Sequence, residues 1–301
     1  MPLTERLEVL ARKKHAEFAA RPELVACALT GSLPRGRVWP GSDLDFHGYW
    51  AQAEDEFEDG VEDGIYWEIN IDPLDALTVE AVELVQAPPF SNEQFGDTIL
   101  EVLWGARVLF DRDGRLEEAV AEVKRLSEDR AWLRERAANY LRHGLECLDA
   151  LADADPQQAI LDARRMSIVY GVNAYWNARG ELFSSAIRIP ERLGEHPEIQ
   201  SLFRAIWNLG GQRGWDTFYA AYQTMPAEIR EEADPDVLRE ILPAVQLGMA
   251  DGGLCHFRFI AEGWLPLDTV APLMGFEADM AAQKARVLDQ ARALLHRISQ
   301  R

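Results

Sequence analysis

Residues 29–47 read LTGSLPRGRVWPGSDLDFH. The stretch begins at the end of LVACAL (24–29), a continuous apolar run of strand length. That run stops at Thr30-Gly31-Ser32, and a glycine there ends a strand and lets backbone approach a ligand closely. After ten intervening residues, DLDFHGYW (43–50) alternates apolar and polar positions and predicts a second strand. Side chains two apart on a strand share a face, so Asp43 and Asp45 project together and His47 follows them. Two carboxylates held side by side repel each other, and a divalent cation relieves that repulsion.

The flanking residues extend the pattern. Gly31-Ser32 at the strand end, with Ser42 just before the aspartates, offers backbone N–H groups and hydroxyls suited to phosphate. Magnesium prefers oxygen ligands and bridges them to nucleotide phosphates. A phosphate cradle beside a carboxylate pair matches metal-assisted nucleotidyl transfer.

Apolar positions Leu7, Leu10, Ala11 and Phe18 predict an amphipathic helix over 4–20, stopped by Pro22. GIYWEINI (64–71) is rich in β-branched and aromatic residues and predicts a third strand. Between the second and third strands lies EDEFEDGVED (54–63), seven of whose ten residues are acidic, and a solvated hairpin loop is expected there. Asp72-Pro73 has the form of an N-cap with proline at the first helical position, which predicts a helix over 73–86. A second helix is expected over 92–104, a strand at ARVLFD (106–111), a turn at DRDG (111–114) and a helix from about 115. From about residue 130 helical periodicity dominates, through Trp132, Leu133, Tyr140, Leu141, Leu145, Leu148 and Leu151. Further helices are expected at 157–179, 198–209, 215–223, 235–250 and 277–299. The change of character divides the chain into domains 1–126 and 127–301.

Composition narrows the function. With 301 residues, 48% hydrophobic and 27% charged, the chain can bury a sizeable core in one large domain or two ordinary ones. Three cysteines, Cys27, Cys147 and Cys255, are odd in number and lack Cys-x-x-Cys spacing, which excludes a disulfide framework or a structural zinc site. Their apolar surroundings mark them as buried. No apolar run has the length of a membrane helix and the first residues lack a signal-peptide stretch, so a cytoplasmic protein without a membrane partner is expected. The net charge is −20, from 51 acidic and 31 basic residues. Residues 1–126 hold 26 acidic against 12 basic and carry most of it. Such a chain repels polyanions, so nucleic acid is not the expected partner, and it attracts cationic ligands.

The stretch Thr30-Gly31-Ser32, ten residues, Asp43-Leu44-Asp45 resembles the signature of the nucleotidyltransferase superfamily that includes DNA polymerase beta. GSLPRGRVWPGSDLD is similar to small-molecule members such as the aminoglycoside nucleotidyltransferases. Those typically carry Ala-Arg-Gly where this chain has Pro34-Arg35-Gly36, a departure that bears on the local loop shape. The resemblance covers roughly residues 20–112. It implies an α+β fold: a polymerase-beta-like domain with a small mixed sheet and flanking helices, then an all-α helical bundle that forms the acceptor wall.

It also implies a third carboxylate on a neighbouring strand. Glu68, Asn70 and Asp72 share one face of the third strand; Asp72 is assigned to the helix cap, which leaves Glu68 as third metal ligand or general base. Arg35 is placed either on the triphosphate or in solvent, and His47 either lines the site or packs in the sheet. Arg164, Arg165 and Tyr170 fall on a helix of the second half, where they either meet the nucleotide or the acceptor or pair on the helix surface, the surface pairing being expected. Tyr170, Tyr175 and Trp176 are expected in the core.

The activity implied is Mg²⁺-dependent transfer of a nucleoside monophosphate, AMP from ATP, to a hydroxyl of a small molecule. The acidic balance favours a cationic acceptor such as an aminoglycoside. Two alternatives stand beside it: adenylylation of a protein partner, as in antitoxin-type members, and nucleotide binding without turnover. Oligomeric state is not legible.

Overall fold

The computed structural model describes residues 1–52, 54–77, 102–182, 186–228, 230, 241–264 and 270–301. The chain divides into two compact units, the described residues up to Arg130 forming the first and those from Ala131 on the second. The fold is α+β, with a five-stranded mixed sheet and helices followed by a mostly helical region.

The first unit opens with α1 (Leu3–Ala19), then β1 (Leu24–Leu29), β2 (Leu44–Trp50), β3 (Glu56–Glu62), β4 (Ile65–Pro73), β5 (Arg107–Asp111) and α2 (Arg115–Glu128). Strand order is β3-β4-β2-β1-β5, antiparallel throughout except for the parallel pair β2/β4. Alternation sorts the two faces. Leu44, Phe46, Ile69 and Ile71 are buried in one core with Leu7, Leu10, Ala11 and Phe18 of α1, as the helical spacing of those four residues requires. Asp45, His47, Glu68, Asn70 and Asp72 are half-buried on the other face. At the start of α2 the DRDG turn forms, and the Asp111 carboxylate accepts from the N–H groups of Gly114 at 3.0 Å and Glu117 at 2.9 Å.

Two expectations for this unit are corrected. The acidic run is an edge strand, β3, joined to β4 through Asp63 (φ 53°) and Gly64 (φ 69°), a two-residue turn with both central residues left-handed. An edge strand keeps its charges at the water boundary, and bases on and just after α1 offset several of them. Arg21 Nη2 donates to Glu58 Oε2 at 2.7 Å, and Lys13 and Lys14 both pair with Glu62. Asp72 is not a helix cap: β4 runs through Pro73, opposite Trp50, and a short 3₁₀ turn, Leu74–Ala76, follows with no side-chain cap. Proline as the last residue of a strand forfeits no needed donor. Residues 78–101 lie outside the described residues, and with them most of the helices expected at 73–86 and 92–104.

The second unit holds α3 (Arg130–Ala150), α4 (Pro156–Met166), a π-helical segment Ser167–Val172, α5 (Asn173–Ala178), α6 (Pro197–Ile206), α7 (Gly211–Tyr222), α8 (Leu242–Gln246), α9 (Ala250–Trp264) and α10 (Met280–Ser299). The single helix expected over 157–179 is therefore one helical run whose winding loosens in the middle. Tyr170, Tyr175 and Trp176 are core, packed with Phe203, Leu294 and Ile298.

The expected helix over 235–250 breaks at Gly248 (φ 84°), residues 235–240 being outside the described set, and α9 runs on to Trp264, past the expected end. Gly252-Gly253 reads as a breaker but serves close packing. A Cβ on Gly252 would lie 3.2 Å from Glu191 Oε2, and one on Gly253 3.0 Å from Ile241 Cγ2. Arg164 and Arg165 are buried, against the expected surface placement, at 1% and 7% exposure. Arg164 sits among peptide carbonyls, Nε donating to Ile206 at 3.1 Å and Nη1 to Met274 at 2.6 Å. All three cysteines are buried thiols, and burial pushes each of them up from its ordinary pKa.

Candidate active site

The Gly31 turn and the β2/β4 register build the site. Thr30, at the end of β1, donates its N–H to the Asp45 carbonyl at 2.8 Å and its hydroxyl to the same oxygen at 3.2 Å. The turn is thereby fastened beside Asp45. Gly31 is left-handed (φ 74°), and a Cβ built on it would overlap the Asp45 carboxylate, lying 2.9 Å from its Cγ. Only a residue without a side chain fits between the strand end and this carboxylate.

The loop that follows closes on itself. Ser32 Oγ donates to Ser42 Oγ at 2.8 Å, Trp39 N–H donates to Ser42 Oγ at 2.9 Å, and Ser42 N–H donates to the Trp39 carbonyl at 2.9 Å. Ser42 Oγ joins both Ser32 and the backbone of Trp39. The two serines predicted to meet phosphate thus sit together at the neck of the loop.

Register brings Glu68 beside the aspartates. In the parallel pair, Asp45 stands opposite Glu68, His47 opposite Asn70 and Tyr49 opposite Asp72. Paired residues on neighbouring strands share a face, which puts Asp45 and Glu68 side by side and leaves Asp43 at the mouth of β2, just before Leu44. Asp72 stands four residue pairs further along, where its Oδ2 lies 3.9 Å from His47 Nδ1. Tyr49, buried at that level, has its hydroxyl pushed above the ordinary phenol range by burial and by the Asp72 charge. Among the described residues no group of three or more His, Cys, Asp or Glu side chains is gathered to hold a metal ion. Neighbouring oxygen donors suit Mg²⁺ even so, because that ion is held by one or two carboxylates together with waters and substrate phosphates.

Arg35 is half-buried rather than fully solvated. Its Nε donates to the Trp104 carbonyl at 2.8 Å, and its guanidinium stands 5.3 Å from the centre of the Trp104 ring, with that of Arg37 at 5.2 Å. This Trp104 platform was not expected: the partners are far apart in sequence and no local pattern links them. Asn70 beside His47 was likewise noted as sharing a face but given no role. On β3, Phe57 and Val61 stand opposite Asn70 and Tyr66 with 55% and 72% exposure, so apolar surface borders the carboxylates.

No protein-family model and no curated protein matches this chain. Among solved structures it is similar to a nucleotidyltransferase-like protein from Exiguobacterium sibiricum, at 12% identity and a TM-score of 0.34, covering 85% of this chain and 78% of that one. No helix among the described residues is long and apolar enough to cross a membrane.

Proposed function

We propose that this chain is a nucleotidyltransferase that moves AMP from ATP to a hydroxyl of a small cationic acceptor of the aminoglycoside kind, with 1–126 as catalytic domain and 127–301 as acceptor-binding domain. The observation that carries the reading is the Gly31 turn pressed against the Asp45 carboxylate, with Glu68 across the register on the same face. A solvated surface loop has no need of that fit.

Asp43 and Asp45, with Glu68 beside them, are the residues that would hold Mg²⁺. Bound there, the ion would supply charge neutralisation for the triphosphate and orient its α-phosphorus. Gly31 backbone, Ser32 and Ser42 cradle phosphate oxygens, and Arg35 shapes the loop from its seat on Trp104. Glu68, where it is not a ligand, accepts the proton of the acceptor hydroxyl. The acceptor oxygen then bonds the α-phosphorus while the bond to the bridging oxygen breaks and pyrophosphate leaves. The net charge of −20 favours a cationic acceptor over an anionic one.

The test is pyrophosphate release with ATP and Mg²⁺ against a panel of aminoglycosides, a panel of neutral alcohols and a panel of proteins, with products read by mass spectrometry. An adenylylated aminoglycoside whose formation stops in Asp43→Asn and Asp45→Asn supports the reading. Labelled protein without labelled small molecule replaces the acceptor class. Full turnover in either Asn variant refutes the site itself.

A further inference from the structure

A cavity lies among residues of the helical unit. It has a volume of about 350 Å³ and runs along one face of α7 from the N-terminus of that helix. Gly210, Arg213 and Gly214 line its head, Thr217 and Phe218 its flank, and Arg258 of α9 its wall. None of the lining residues is acidic, in a chain that carries 51 acidic residues. Two arginines stand there instead.

Arg258 is the decisive group, at 6% exposure. Its Nε donates to the Leu273 carbonyl at 3.1 Å and its Nη1 to the carbonyls of Trp207 and of Asn208, the latter at 3.1 Å. Among the described residues Nη2 has no acceptor. The carboxylate that acts on it electrostatically, Asp251, has its own oxygens engaged by Gly211 N–H at 2.6 Å and Arg204 Nε at 2.9 Å. Burial pulls the Arg258 guanidinium down to about 10, so at neutral pH it is a buried cation whose hydrogen bonds all go to carbonyls. Such a charge, on a residue that lines a cavity and with its Nη2 beside Gly275 of the same lining, suits an anionic partner. Gly275, also lining the cavity, leaves room for this guanidinium: a Cβ there would lie 2.7 Å from Arg258 Nη2 and 2.9 Å from its Cζ.

The helix end adds donors. Gly210, the residue before α7, offers no side-chain cap. Of the first-turn N–H groups, that of Gly211 is taken by Asp251 and that of Gly214 by the Gly210 carbonyl, leaving those of Gln212 and Arg213. Unpaired amides at a helix N-terminus favour an anion, and phosphate above others. Beyond this charged head the cavity is lined by Phe218 and Leu273, and its volume is that of a small-molecule site rather than an ion site.

We infer that this cavity binds a phosphorylated small molecule, its phosphoryl oxygens held by Arg213, Arg258 Nη2 and the first-turn amides of α7, and its apolar part against Phe218 and Leu273. The site is independent of the nucleotidyl-transfer reading. It is tested on the full chain by calorimetric titration with phenyl phosphate and with inorganic phosphate, ionic strength held constant with chloride. Wild type binds both, phenyl phosphate the more tightly. Arg213→Ala, an exposed position whose loss spares the core, weakens phenyl phosphate at least about tenfold with little change in melting temperature. Arg258→Lys, which keeps a charge beside the helix carbonyls, weakens it further. No binding of either probe at millimolar concentration, or equal binding by wild type and Arg213→Ala, overturns the proposal. Equal affinity for the two probes overturns the small-molecule assignment. Should Arg258→Lys unfold, Arg213→Ala still decides the question.

Discussion

Replacing Gly31 by alanine isolates the contact on which the catalytic reading stands. An L-residue in the left-handed region costs roughly 1–2 kcal/mol. The new Cβ also meets the Asp45 carboxylate, 2.9 Å from Cγ and 3.4 Å from Cβ, nearer than side-chain carbons pack. Forcing a methyl group into a filled space adds roughly 1–3 kcal/mol. Thr30 is bonded to the Asp45 carbonyl through both its N–H and its hydroxyl, so the backbone gives little and the carboxylate moves instead. A displacement on the order of 1 Å at a catalytic group costs roughly a hundredfold in rate.

Gly36 is the control. It is also left-handed (φ 66°), but a Cβ there meets nothing within 4 Å. Gly36→Ala therefore carries the conformational cost without the clash. Thermal melts and pyrophosphate release on the two variants should separate them. Both lose stability, Gly31→Ala by roughly 1–3 kcal/mol more, and Gly31→Ala alone loses about two orders of magnitude in turnover. Gly31→Ala with the turnover and melting temperature of Gly36→Ala would show that no side chain is excluded at Asp45, and the reasoning would fail.

Other outcomes follow from the same geometry. Glu68→Gln should lower turnover by roughly 10² to 10⁴ with its melting temperature nearly unchanged, while Asp72→Asn, a strand residue facing His47 rather than a helix cap, should alter turnover little; a dead Asp72→Asn beside an active Glu68→Gln reverses the assignment. The Arg21 guanidinium, hydrogen-bonded to Glu58, holds that carboxyl below its ordinary range. A depressed folded-state pKa stabilises above the unfolded value and the contribution is lost as pH falls through the folded one. Denaturant melts across acid pH should therefore show wild type exceeding Arg21→Met at neutral pH, with the gap closing below the ordinary glutamate range; a gap that persists in strong acid refutes the pairing.

What the sequence by itself determined is what neighbouring residues encode. Strand endings at Thr30-Gly31, the alternation from Asp43 to Trp50, the turn at 111–114 and the helical spacing of α1 and α2 depend on φ/ψ preferences and periodicity within a few residues. The candidate site was legible to the same extent: Gly31, Ser32, Ser42, Asp43 and Asp45 lie within fifteen positions of one another.

Only tertiary structure decided the rest. The acidic run became a strand because β4 pairs with it on one side while lying parallel to β2 on the other, and that insertion sets Glu68 opposite Asp45. The same pairing carries β4 through Asp72 and removes it from the cap its local sequence suggested. Arg35 on Trp104, Arg164 under Met274 and Arg258 under Leu273 depend on carbonyls of residues remote in sequence. A guanidinium is stable in the interior when backbone acceptors surround it, and where those acceptors lie is a property of the packed chain rather than of the residues on either side.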